Sequence, residues 1–145
     1  MNTELRNLLV VEDEPMMRRL LLHIFQDKYN VILQENGKEA VDWLEQGNTP
    51  HVIIADLNMP ELDGYSFIRM VREYDFYNNV PLMILSGEQG SEERVKCLKM
   101  GADDFLTKPF NPEELEIRIE KLATLLEEKS GINRMDGVKV MYKKA

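Results

Sequence analysis

His51-Val52-Ile53-Ile54-Ala55-Asp56-Leu57-Asn58-Met59-Pro60 is an apolar run that ends on a carboxylate and then breaks into a turn. An unbroken Val-Ile-Ile stretch, without polar alternation, fits a strand covered on both faces. Such a strand delivers Asp56 to the carboxyl edge of a sheet, where open α/β folds bind ligands. Three further runs end in the same manner. Leu8-Leu9-Val10-Val11 is closed by Glu12 and Asp13, Pro81-Leu82-Met83-Ile84-Leu85 by Ser86, and Phe105-Leu106-Thr107 by Lys108. One edge of one sheet would bring together three acids, a hydroxyl and an amine.

The rest of the chain supports one such sheet. Strand-like runs at 7–12, 30–33, 51–55, 81–86 and 104–107 alternate with helix-period segments at about 14–27, 37–46, 64–73, 91–100 and 111–128. That alternation predicts an α/β fold, a doubly wound parallel sheet with helices on both faces. Pro15 beside Asp13 and Glu14 marks a helix start. Ser91-Glu92-Glu93 and Asn111-Pro112-Glu113-Glu114 read as a capping residue followed by first-turn acids. Gly101 reads as a helix stop. Leu115, Ile119, Leu122 and Leu126 form one apolar helix face, read as core packing.

The 145 residues suffice for one domain with a real core. No apolar run approaches the ~20 residues of a membrane span, and the first residues lack the basic start and apolar core of a signal peptide. The single cysteine, Cys97, excludes an internal disulfide and fits a reducing compartment. Net charge is −8, unevenly spread: residues 1–128 hold 13 basic and 25 acidic residues, or −12, while 129–145 hold five basic and one acidic. A body so acidic repels phosphate and makes a poor nucleic-acid surface. The basic tail reads as solvated, with contact to an acidic partner as the alternative.

Three carboxylates at one edge repel each other unless a cation neutralises them. Oxygen-only ligands suit Mg²⁺, which keeps waters and leaves room for a phosphate oxygen. Asp56 is then a candidate nucleophile that forms an acyl phosphate. Lys108 can hold one phosphoryl oxygen as a point cation and Ser86 can donate to another. Each residue also has a plainer reading: Glu12 and Asp13 as helix caps, Asp56 and Ser86-Gly87 as turn residues, Lys108 as a surface lysine. The joint pattern carries the chemistry. His23 and His51 have no partner at metal-ligand spacing and are assigned none.

At these residues the chain resembles the receiver domain of two-component response regulators. The motifs are Val10-Val11-Glu12-Asp13-Glu14-Pro15, Ile54-Ala55-Asp56-Leu57-Asn58-Met59-Pro60-Glu61-Leu62-Asp63-Gly64, Ile84-Leu85-Ser86-Gly87 and Gly101-Ala102-Asp103-Asp104-Phe105-Leu106-Thr107-Lys108-Pro109-Phe110. The resemblance spans about residues 6–128. It implies a flavodoxin-like five-stranded parallel sheet with five helices, and a signalling switch rather than an enzyme. Asp56 would accept phosphate from a histidine kinase or phosphotransfer protein. Mg²⁺ would bind Asp13, Asp56 and the Asn58 backbone carbonyl, with Glu12 acting through water. Ser86 and Phe105 would be the switch residues, the ring turning inward on activation. The Lys108-Pro109 bond would be cis. The implied location is cytoplasmic.

A finer resemblance, from Ser91 to Lys121, is to the winged-helix transcription-factor subfamily, whose receivers dimerise through the fourth helix, fifth strand and fifth helix. Asp104 with Arg118, and Arg94 with Glu114, match cross-dimer ion pairs; Lys99 with Glu120 matches a third with the signs exchanged. Glu116 departs from the pattern, falling where that face is small and apolar. Residues 1–128 are expected to form the receiver and 129–145 a tail or linker stub. No winged-helix sequence follows, so DNA binding by this chain is not expected, and without a span-length apolar run neither is membrane association. The rival reading, a haloacid dehalogenase-type phosphatase, also uses a strand-end Asp but needs a second Asp two residues on, where this chain has Asn58.

Overall fold

The computed structural model describes residues 5–87 and 90–136. Elements follow the predicted alternation: β1 (Arg6–Val11), α1 (Pro15–Phe25), β2 (Tyr29–Gln34), α2 (Gly37–Glu45), β3 (Val52–Ala55), α3 (Gly64–Glu73), β4 (Leu82–Ser86), α4 (Ser91–Met100), β5 (Asp104–Thr107) and α5 (Pro112–Asp136). The strands form one sheet in the order β2-β1-β3-β4-β5, every pair parallel. This is the flavodoxin-like doubly wound arrangement expected from the sequence.

The period-two alternation of a strand sorts the apolar side chains between two cores. Leu9, Val11, Ile53, Ala55, Leu82, Ile84 and Phe105 point to one face and pack with α2, α3 and Cys97 of α4. Leu8, Val10, Val52, Ile54, Met83, Leu85 and Leu106 point to the other and pack with α1 and α5. Leu115, Ile119 and Ala123 are fully buried there and Leu122 partly, as the helical spacing predicts; the side chain of Leu126 lies outside those described. Cys97 is buried, and burial pushes its thiol up to about 11, which keeps it protonated and unreactive.

Two boundaries differ from the sequence reading. The N-cap of α4 is Gly90, with no side-chain cap, and Ser91 is already helical. Glycine and serine are both accepted at an N-cap, so the Gly90-Ser91 pair left the choice to tertiary packing. The last helix does not stop near residue 128 but runs to Asp136. A mid-helix glycine costs only about 1 kcal/mol relative to Ala, and no proline interrupts the stretch, so Gly131 does not end it. Asn111 caps α5 as expected, its Oδ1 accepting from the amides of Glu113 and Glu114 at 2.8 and 3.3 Å. Among the described residues no helix is long and apolar enough to cross a membrane.

Away from Asp56, one arginine ties three segments together. Arg72, near the end of α3, donates from Nε to the Gly101 carbonyl at 2.8 Å, from Nη1 to the Val80 carbonyl at 2.8 Å, and from Nη2 to Asp103 Oδ2 at 2.9 Å. Asp103 Oδ2 in turn accepts from the Leu82 amide at 2.8 Å. Gly101 ends α4 at φ 120°, a left-handed conformation that favours glycine. A Cβ at Gly101 would also lie 2.8 Å from Arg72 Cγ, so the clamp closes directly over this residue.

Candidate functional site

Strand register builds the site. Val11 of β1 lies opposite Ala55 of β3, and Ala55 opposite Ile84 of β4, so Glu12 and Asp56 are the next residues out on adjacent central strands. The ladder runs one step further on each side: the Asp56 amide donates to the Val11 carbonyl at 3.0 Å, and the Lys108 amide to the Ser86 carbonyl at 2.7 Å. The four strand ends therefore meet at one edge.

The three acids converge. Glu12, Asp13 and Asp56 each bring a carboxylate oxygen within 4.8 Å of the others, with Glu12 and Asp56 buried and Asp13 exposed. Lys108 Nζ lies 2.9 Å from Glu12 Oε1 and 3.6 Å from Asp56 Oδ2. Asp56 Oδ1 accepts from the amide of Leu57 at 2.7 Å. Burial raises the Asp56 pKa above its ordinary value, and the neighbouring Asp13 charge adds to this; Lys108 and the Leu57 and Asn58 amides act against it. Burial likewise raises Glu12, opposed by its hydrogen bond to Lys108. The cluster holds more negative charge than its one lysine offsets, and every candidate donor atom is oxygen. That chemistry fits a hard divalent cation.

The plainer roles for Glu12 and Asp13 are not what the structure uses. Glu14 caps α1, its Oε1 accepting from Met17 N at 2.7 Å, while Glu12 Oε2 accepts from the Glu14 amide at 3.1 Å. Gly64 opens α3 directly behind Asp56; a Cβ there would lie 2.6 Å from Leu57 Cα and 2.7 Å from the Asp56 carbonyl oxygen. Only a glycine lets α3 start so close to the loop. Ser86 is fully buried beside the cluster, Asn58 is exposed on the loop after Asp56, and the Lys108-Pro109 bond is cis. His51 serves the backbone, its Nδ1 accepting from the Asn7 amide at 2.9 Å.

Residues 8–120 match the response regulator receiver domain. The chain belongs to that family. This receiver is 36% identical over 118 residues to response regulator Rre1 of Synechocystis, covering 80% of this chain and 51% of that protein. It is 33% identical over 129 residues to the probable transcriptional regulator ycf27 of Porphyridium aerugineum, covering 88% and 52%. The chain thus spans about half the length of these relatives. Among solved structures it is similar to the receiver domain of sensor histidine kinase PA1611 from Pseudomonas aeruginosa PAO1, which has a magnesium ion coordinated in its active site cleft. That likeness has a TM-score of 0.76 at 30% identity and covers 83% of this chain and 98% of the other. The chain is thus a receiver of two-component signalling.

The remaining sequence-predicted residues lie on α4, β5 and α5. Phe105 is buried, 6% exposed, in the core that includes Ala102 and Cys97. Strand alternation faces Phe105 to this core and Leu106 to the opposite one. Arg118 joins Asp104 at 2.8 Å and Glu114 at 2.8 Å within one chain. Glu120 bonds Arg6 at 3.2 Å and the Tyr29 hydroxyl at 2.8 Å, on the flank of α5 away from α4. Glu116 lies on the same flank, 3.8 Å from Lys28, because it sits two positions, about 200°, around the helix from Arg118. It does not occupy the centre of the α4–β5–α5 face. Sequence reading missed Arg18, whose Nη1 donates to the carbonyls of Glu12 and Asp13 at 2.8 and 3.0 Å. No local pattern marks such a reach-back bond.

Proposed function

We propose that this receiver takes a phosphoryl group on Asp56 from a histidine kinase or phosphotransfer protein, in a reaction that needs Mg²⁺. The observation that carries the reading is the convergence of Glu12, Asp13 and Asp56 within 4.8 Å, with Lys108 at 3.6 Å from Asp56. An Asp56 carboxylate oxygen attacks phosphorus, the bond from phosphorus to the donor's imidazole nitrogen breaks, and its electron pair remains on that nitrogen. Bound Mg²⁺ would neutralise charge on the transferred group, held by Asp13, Asp56 and the Asn58 carbonyl, with Glu12 acting through water. Lys108 supplies a partly buried positive charge beside the acceptor, and Ser86 a hydroxyl for a phosphoryl oxygen. Most of the rate comes from such positioning and charge stabilisation. Asp56 is buried and its pKa raised, so binding a cation favours the ionised, nucleophilic form.

Incubation with acetyl phosphate and Mg²⁺, followed by peptide mass mapping, tests the assignment. Label is expected on Asp56 alone; undiminished labelling of Asp56→Ala would sink it. Residues 1–128 would act as the receiver unit, with 129–145 as a C-terminal tail or linker stub.

The output proposed for the phosphorylated form is homodimerisation through α4, β5 and α5. Val95, Leu98 and Ile117 support this reading, being 45%, 42% and 53% exposed on α4 and α5. Asp104 and Arg118 would exchange their intrachain bond for the partner's, and Glu114 would meet Arg94. Ser86 would report phosphate to this face through α4, with Phe105 adjusting inside the core. Sedimentation with and without beryllofluoride tests it: a monomer in both conditions at high concentration refutes the dimer.

A further inference from the structure

The turn that carries Glu12 and Asp13 begins where the β1 ladder ends at Val11. Glu12 keeps two anchors: its amide donates to the Gln34 carbonyl at 3.0 Å, and its Oε2 accepts from Glu14. Asp13 has neither. Among the described residues its one hydrogen-bond partner is Arg18, on the next turn of α1, whose own amide donates to the Glu14 carbonyl at 3.0 Å. The Arg18 guanidinium folds back over the helix start. A single nitrogen, Nη1, takes the carbonyls of Glu12 and Asp13 together. Two consecutive carbonyls fixed by one rigid planar group define the direction of the main chain between them. They thereby define where the Asp13 carboxylate starts its reach into the cleft.

We propose that Arg18 is a positioning residue for the cation site: it sets the main chain of Asp13, and through it the geometry of the acidic cluster. The proposal rests on the reading of the cleft as a Mg²⁺ site. Charge and geometry make opposite demands here, which gives the idea a sharp test. A guanidinium beside a dication site repels the dication, so if Arg18 acted by charge alone, its removal would tighten Mg²⁺. If it acts by holding the turn, removal loosens Mg²⁺ despite the lost repulsion. Groups that orient metal ligands typically change affinity by about 10–100-fold when removed.

The test is Mg²⁺ titration of the unphosphorylated protein, followed by amide NMR and calorimetry, for wild type, Arg18→Ala, Arg18→Gln and Arg18→Lys. Thermal melts in EDTA verify folding. The expected result is a Kd raised about tenfold in Arg18→Ala, with a smaller rise in Arg18→Lys, which keeps the charge but loses the planar fork. The Asp13 amide resonance is expected to shift before any metal is added. Arg18→Ala and Arg18→Gln binding Mg²⁺ as tightly as wild type, or more tightly, would overturn the proposal. Should Arg18→Ala fail to fold, the Lys and Gln variants carry the same comparison. A wild type that binds no Mg²⁺ would overturn the site reading instead, so the two failures are distinct.

Discussion

Replacing Asp56 by Asn should stabilise the metal-free protein. At an effective dielectric of about 20, two unit charges 4.8 Å apart, the upper limit within this cluster, repel by about 3.5 kcal/mol. Asp56 meets two such neighbours, Glu12 and Asp13, and one attraction, Lys108 at 3.6 Å, of about 4.6 kcal/mol. The balance leaves about 2 kcal/mol of unrelieved repulsion, reduced by solvent around Asp13 and increased by the burial of Asp56. A gain of about 1–3 kcal/mol is expected, since Asn keeps an acceptor for the Leu57 amide. For a chain of this size each kcal/mol moves Tm by roughly 2–4 °C, so Asp56→Asn should melt several degrees above wild type in EDTA at pH 7.

The pH dependence carries the sign. Asp56 and Glu12 have folded-state pKa values raised above their ordinary 3.8 and 4.5, so the folded state binds protons more tightly than the unfolded state. The destabilisation is complete above the raised values and is relieved as pH falls through them. The advantage of Asp56→Asn should therefore shrink from pH 7 toward pH 4. Saturating Mg²⁺ should stabilise wild type by mass action and the variant less. Denaturant melts at pH 7 and pH 5, with and without Mg²⁺, measure all three. An Asn variant no more stable than wild type in EDTA, or an advantage that grows on acidification, would refute the charge argument.

Arg72→Ala should destabilise the fold by about 2–4 kcal/mol, because charged hydrogen bonds to the Gly101 and Val80 carbonyls and to Asp103 are lost together; Arg72→Lys should recover little of it, and urea melts measure both. Gly64→Ala should cost about 1–3 kcal/mol and slow acetyl phosphate labelling, because its Cβ would meet backbone at Leu57 and Asp56. Asn111→Ala should cost about 1 kcal/mol through the lost α5 cap and leave Mg²⁺ affinity unchanged, as a paired melt and titration would show.

Much of the site was legible because its chemistry sits at the ends of apolar runs. Parallel register converts four sequence positions, Glu12, Asp56, Ser86 and Lys108, into one neighbourhood, and both the runs and the alternation that implies parallel pairing are local signals. What sequence did not show are bonds from long side chains to distant carbonyls. Arg18 and Arg72 each look like ordinary helix-surface arginines until the turns they hold are placed by the fold. The Gly90-Ser91 choice of cap and the continuation of α5 through Gly131 turn on about 1 kcal/mol each, well within what tertiary packing overrides. The Asp104–Arg118 pair was read correctly as complementary, but sign alone does not say whether the partner lies in the same chain.

The Arg72 clamp makes α4 mechanically lopsided. At its Gly101 end the helix is pegged to α3, to the start of β4 and to Asp103. At its Ser91 end it has no side-chain cap, and along its length only Cys97 is buried, with Lys96 resting 4.0 Å above the ring of Tyr65. A helix pinned at one end and lightly loaded at the other would move as a lever about the pin. The lightly held end is the one that follows Ser86, so a push delivered there would act at the full length of the arm, and a small displacement beside Asp56 would swing the outer surface of α4 without breaking the sheet beneath it.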